Sequence, residues 1–104
     1  MKVSRIEWDA RNRAHFASHR ERRISEEEVT DVLQQRCYPH RAAEIPRSPK
    51  SEPRRAVVGR SCAGKYLLVV VAPRGEGAVR PITSWPLNQR ETMRYLAWRR
   101  TVKR

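Results

Sequence analysis

The stretch Tyr66-Leu67-Leu68-Val69-Val70-Val71-Ala72 constrains this chain more than any other. It is a consecutive apolar run in a chain whose mean hydropathy is -0.83. Three adjacent β-branched valines favour a strand, because their side chains fit a pleat better than a helix. Both parities are apolar, so both faces should be covered. A strand of that kind belongs inside a sheet, with helices packed on at least one side. Turn signals flank it, Ser61-Cys62-Ala63-Gly64 before and Pro73-Arg74-Gly75-Glu76-Gly77 after. The local reading is strand, turn, central strand, turn, strand.

The rest of the chain supplies the partners. Val3, Ile6 and Trp8 suggest a short first strand, and Asp9 stands as the N-cap of a helix running to about Arg20. Ala10, Ala14 and Ala17 recur at i, i+4 and i+7 and predict a small-residue face packed against the sheet. Ile24-Ser25-Glu26-Glu27-Glu28-Val29 is a second helix start, with Ser25 as N-cap, Glu28 completing a capping box, and Ile24 and Val29 as a staple. That helix buries Val29, Val32 and Leu33 and ends near Arg36. Pro39, Pro46, Pro49 and Pro53 disfavour regular structure, leaving a short edge strand over Arg41–Ile45 and then a mobile loop. Arg54–Arg60 and 78–85 read as further strands, with Pro81 marking an edge or a bulge. A last helix opens with Asn88 as N-cap and Glu91 at N3. Its faces are Met93, Leu96, Ala97 and Arg100 on one side and Tyr95, Trp98 and Val102 on another. The expectation is one α+β domain over residues 1–104. It has an antiparallel meander, two N-terminal helices and one C-terminal helix.

Charge points to the partner. Lys and Arg number 23 against 11 Asp and Glu, a formal net charge of +12. On a folded domain this implies a polyanion, either nucleic acid or an acidic protein. Cys37 and Cys62 show no metal-ligand spacing and are expected to be free thiols in a reducing compartment. The first residues lack the apolar core of a signal peptide, and no apolar run is long enough to span a membrane. The chain is therefore expected in the cytoplasm.

No cofactor is implied: phosphate-loop, GxGxxG and Ser/His/Asp signatures are absent from the sequence. His15 and His19 lie i, i+4 without the nearby carboxylate of a metal helix, and no metal is expected. The candidate chemistry is a basic, aromatic-bearing surface. Arg55, Arg60, Lys65, Arg74 and Arg80 lie on or beside the meander, and Arg94 on the basic last helix. Tyr66, Trp85, Tyr95 and Trp98 are of a kind to stack bases. Such a set can bind RNA, or cleave it without a metal through attack by the RNA's own 2′-hydroxyl. Cleavage also needs a proton-transfer group, with His40, Tyr95 and Glu91 as candidates.

Ile6-Glu7-Trp8-Asp9, Asn12, His19 and the Ile24-Ser25-x-x-Glu28 helix start form a series. It continues through Val58-Gly59-Arg60-Ser61, Gly64 to Val71, Arg74-Gly75, Arg80-x-Ile82-Thr83-Ser84 and Glu91-x-x-x-Tyr95. In order and spacing this series resembles the BrnT family, the toxin halves of bacterial type II toxin–antitoxin pairs. The resemblance implies a RelE-like fold, an endoribonuclease that arrests translation by cutting RNA, free or on the ribosome, and a small DNA-binding, BrnA-like antitoxin as partner. By position it also implies catalytic roles for Arg60, Arg74 and Arg80, with Glu91 and Tyr95 beside them. Arg55, Lys65, Trp85 and Arg94 are the RNA-binding candidates. Two departures stand out: Arg20 follows His19 where the family has Gly, and Trp85-Pro86 stands where it commonly has Ala-Arg. The alternative is a non-catalytic module that binds RNA or an acidic protein.

Overall fold

The computed structural model describes residues 1–45 and 53–102. In chain order its elements are β1 (Arg5–Ile6), α1 (Ala10–Ser18), α2 (Glu26–Leu33), β2 (Arg41–Ile45), β3 (Arg54–Arg60), β4 (Tyr66–Gly75), β5 (Ala78–Pro86) and α3 (Gln89–Arg99). The five strands form one sheet in the order β1-β5-β4-β3-β2. Only the β1–β5 pair is parallel. The fold is α+β, with β2 to β5 as the expected meander and two helices before it and one after. The loop expected beyond Ile45 lies outside the described residues.

The apolar run is central, with β3 and β5 as its neighbours. Leu67, Val69 and Val71 share a core with Val57 and Val79, closed by Val29, Val32 and Leu33 of α2. Each such side chain removed from water stabilises the fold by about 1.5–3 kcal/mol. The opposite parity faces α3: the Tyr66 and Tyr95 rings meet edge-on at 6.0 Å. Both faces of the strand are thus used, as its composition requires. α2 approaches β3 so closely that a Cβ on Gly59 would lie 2.9 Å from Val32 Cγ1 and 3.2 Å from His40 Cβ. Gly59→Ala is expected to cost about 1–3 kcal/mol by overpacking, read from urea unfolding; an unchanged midpoint would mean a looser contact.

Two local expectations are corrected. The first concerns α1, whose alanines Ala10, Ala14 and Ala17 all face solvent. The helix instead buries Asn12, which closes a capping box with Asp9. Asn12 also donates Nδ2–H to the carbonyls of Glu7 and Pro81, at 3.0 and 3.2 Å. The reason is the edge of β5. β1 pairs only with Ala78 and Val79, leaving later carbonyls of β5 without a strand. Side chains cover them, Asn12 at Pro81 and Arg22 at Ser84 (3.0 Å). A polar residue therefore outranks an alanine face here.

The second concerns the cysteines, which form a disulfide with a Cα–Cα distance of 5.4 Å. α2 packs on β3, so the loop after α2 reaches the β3–β4 turn. Buried Asp31 on α2 holds that turn by accepting from Cys62 N–H at 3.0 Å. Metal-ligand spacing carries no information about such a long-range approach.

The two faces of α3 differ in burial. Met93 is 63% exposed and Ala97 and Arg100 are exposed, while Tyr95 on the other face is buried. Tyr95 anchors the helix by donating its hydroxyl to Pro39 O at 2.6 Å. A buried tyrosine that satisfies its hydroxyl outweighs a methionine on an otherwise basic helix.

His40 is also buried, with Nδ1 2.8 Å from Val32 O and Nε2 3.0 Å from Met1 O. It is a structural group and not a surface for proton transfer. Burial lowers its pKa below the ordinary 6.5. The unfolded chain therefore takes up the proton more readily. The stability from neutral His40 is whole above that value and is lost as the pH falls below it, by at most about 1.4 kcal/mol per pH unit. Thermal midpoints at about pH 7.5 and about pH 5 should converge in His40→Gln relative to the native chain; an equal acid loss in both would assign the effect elsewhere.

Candidate nucleic-acid interface

The register of the sheet gathers arginines. Ala72 on β4 pairs with Arg80 on β5. Arg54 stands one residue beyond the Arg55–Val71 pair, level with Ala72 on the other side. A bulge matters here: Val70 pairs with Thr83 but Val71 with Pro81, so Ile82 is an extra residue. It turns Pro81 into the core and brings Arg80 to the same face as Thr83. A second irregularity between Pro73 and Gly75 falls on Arg74.

The result is an open pocket of about 570 Å³ between α1 and this end of the sheet. Arg11, Arg54, Arg74 and Arg80 line it with His15, Asn12 and Ile82. Among the described residues, Asp9 is the one carboxylate in that lining. Arg80, 18% exposed, lies across Asp9, with Nε 3.1 Å from Oδ2 and Nη2 3.4 Å from Oδ1. The N–H of Asn12, and then the Arg80 guanidinium, hold the Asp9 carboxyl below its usual range. Asp9 thus caps α1 and aims Arg80. Arg74 Nε lies 3.7 Å from Glu7 Oε1. His15 places Nε2 3.2 Å from Thr83 Oγ1. Four planar guanidinium groups around one opening suit a phosphate diester, which each can grip through two N–H donors.

Arg60 lies on the same face but at its far end, six residues along β3 from Arg54, about 20 Å away at strand rise. Its guanidinium sits 4.8 Å from the Tyr38 ring and 4.9 Å from the Tyr66 ring. With Tyr95, Leu96 and Arg99 it lines a cavity of about 190 Å³. Glu91 and Arg94 line a third recess with Arg41, Ala43, Ala56, Val58 and Tyr95. Glu91 there also serves the cap, accepting from Asn88 N–H at 3.1 Å. Trp85 is half-buried opposite Leu68.

Two RNA-binding candidates face the other way. Lys65 turns to α2, 3.2 Å from a Glu28 carboxylate oxygen, and also donates to Arg23 O. Arg55 lies on the α2 side of β3, 3.8 Å from Glu44. The candidates in the sequence therefore divide. Arg74 and Arg80 come together; Arg60, Tyr95, Glu91 and Arg94 gather around α3; Arg55 and Lys65 stand apart. Arg11 and Arg54 do not stand out in the sequence, and His15 reads there only as half of an i, i+4 histidine pair without a metal-site carboxylate. Only the strand register could have found them. Among the described residues, no group of three or more His, Cys, Asp or Glu could hold a metal ion. No helix there is long and apolar enough to cross a membrane. No protein-family model matches the chain, and no curated protein is significantly similar to it.

Proposed function

We propose that the chain is the toxin of a BrnT-like pair, a metal-independent endoribonuclease that binds single-stranded RNA in the Arg11–Arg54–Arg74–Arg80 pocket. The four-arginine lining carries the reading. A phosphodiester gains a second negative charge as the 2′-oxygen attacks. Fixed guanidinium donors in the pocket offset that charge more strongly than water does. The net charge of +12 draws the strand in. In this reading the fold is the RelE-like variety of α+β, the chain acts in the cytoplasm, and a small antitoxin with an acidic segment neutralises it.

A second reading is a binding module without cleavage. It is favoured by the engagement of Arg80 with Asp9 and by Pro86, which stands where the resemblance predicts an arginine. Induced expression without a partner separates the two. A toxin arrests growth and fragments cellular RNA, and Arg80→Ala relieves both. Growth with intact RNA, together with retained RNA binding, favours the module.

A further inference from the structure

We infer that His15 is the catalytic residue that removes the 2′-hydroxyl proton, with Thr83 as its positioning residue. The inference rests on the reading of the arginine pocket as an RNA-cleaving site. Cleavage there requires a group that touches the strand and accepts a proton. The expected candidates lie elsewhere. His40 is enclosed between two carbonyls. The Tyr95 hydroxyl is buried on Pro39 O. Glu91 belongs to the recess beside α3. Within the pocket, Asp9 is a weakened base because Asn12 N–H and Arg80 both stabilise its charge. Arginine has no acceptor.

His15 is exposed and shares the pocket with all four arginines. It follows Asp9 and Asn12 at steps of three, so the cap, the edge anchor and the imidazole lie on one side of α1. Its ring is held in place. The His19 ring meets it edge-on at 4.8 Å and the Phe16 ring at 6.1 Å. The Thr83 hydroxyl lies 3.2 Å from Nε2 and itself accepts from Arg22 Nη1 at 3.1 Å. A hydroxyl oxygen has two lone pairs. Arg22 takes one, and the other is open to His15 Nε2–H. We assign His15 the tautomer that donates there, which makes Nδ1 the proton acceptor, and Nδ1 has no hydrogen-bond partner among the described residues. A histidine with one nitrogen held and the other open is the arrangement general-base catalysis needs.

The step balances. Nδ1 takes the proton from the 2′-oxygen. The O2′–P bond forms as the P–O5′ bond breaks, and water gives a proton to the departing 5′-oxygen. The hydroxide so formed takes the proton back from His15. The products are a 2′,3′-cyclic phosphate and a 5′-hydroxyl, and nothing is oxidised or reduced.

Single-turnover cleavage of an unstructured RNA oligonucleotide in EDTA tests this with the native chain, His15→Gln and His15→Ala. His15→Gln is expected to slow cleavage by about 10²–10⁴-fold, while RNA affinity stays within about twofold, as for a surface substitution. Imidazole in solution should restore part of the rate to His15→Ala and none to Arg80→Ala. Thr83→Val should lower the rate at saturating RNA without changing affinity. If the native chain cleaves and His15→Gln cleaves as fast, the assignment is overturned while the ribonuclease reading stands. A loss that imidazole does not repair overturns it too. No cleavage by the native chain overturns the reading and the assignment together.

Discussion

Replacing Arg54 and Arg80 together by alanine is expected to weaken single-stranded RNA binding by about 10²-fold. Each guanidinium–phosphate contact contributes about 1.5–3 kcal/mol, and about 1.4 kcal/mol is a factor of ten. The lower end applies, because Arg80 gives up part of its hold on Asp9 to reach a phosphate. The salt dependence carries the sharper signature. Each lost phosphate contact should reduce the slope of log affinity against log salt by about 0.7 on a single strand. Arg55 and Lys65 provide the internal control. They carry the same charges but lie on the α2 side, 3.8 and 3.2 Å from carboxylates. Alanine there should change affinity by no more than about twofold. Equal losses from both pairs would show that RNA responds to total charge and not to the pocket.

Reducing the Cys37–Cys62 bond is expected to lower the thermal midpoint by about 12–24 °C. The two cysteines are 25 residues apart. Closing a loop of that size removes unfolded-chain entropy that corresponds to about 3 kcal/mol. A domain of this size shifts by about 4–8 °C per kcal/mol. The bond joins the loop carrying Tyr38 to the turn that Arg60 grips through Gly64 O (3.3 Å), so reduction should loosen the Arg60 end of the face first. Amide exchange around Tyr38 and Gly64 should rise before exchange at Val69. Melting curves with and without dithiothreitol, and with Cys37→Ser, measure the shift. Identical curves would mean that the bond does not contribute to stability.

The strands and caps were legible because they are local. A β-branched run, a Ser-x-x-Glu box and an Asn-x-x-Glu box each specify their geometry within a few residues, and β3 and β2 stand where the sequence puts them. What was not legible is long-range. The alanines of α1 read as a packing face because sequence does not reveal that β5 leaves its carbonyls open there. The thiols read as free because the α2–β3 contact that brings them together is tertiary. The site depended on register above all. Ile82 as an extra residue decides which face Arg80 takes, and a slip of one residue would have sent it into the core side. Pro81 marks an edge or a bulge in the sequence, but a proline alone does not show which arginines the bulge unites. Arg54 was invisible for that reason, although it lies level with Arg80 across Ala72.

In the proposed function the arginine pocket cleaves RNA through the RNA's own 2′-hydroxyl. The direct measurement is the chemistry of the cut ends. An end-labelled RNA is incubated with the purified chain in EDTA, beside the same sequence carrying 2′-deoxy nucleotides and beside the Arg54→Ala/Arg80→Ala chain. The expected result is fragments ending in 2′,3′-cyclic phosphate from RNA, none from the deoxy strand, and loss of cleavage in the double variant. Fragments with 3′-hydroxyl ends, cleavage of the deoxy strand, or an undiminished rate in the double variant would contradict it.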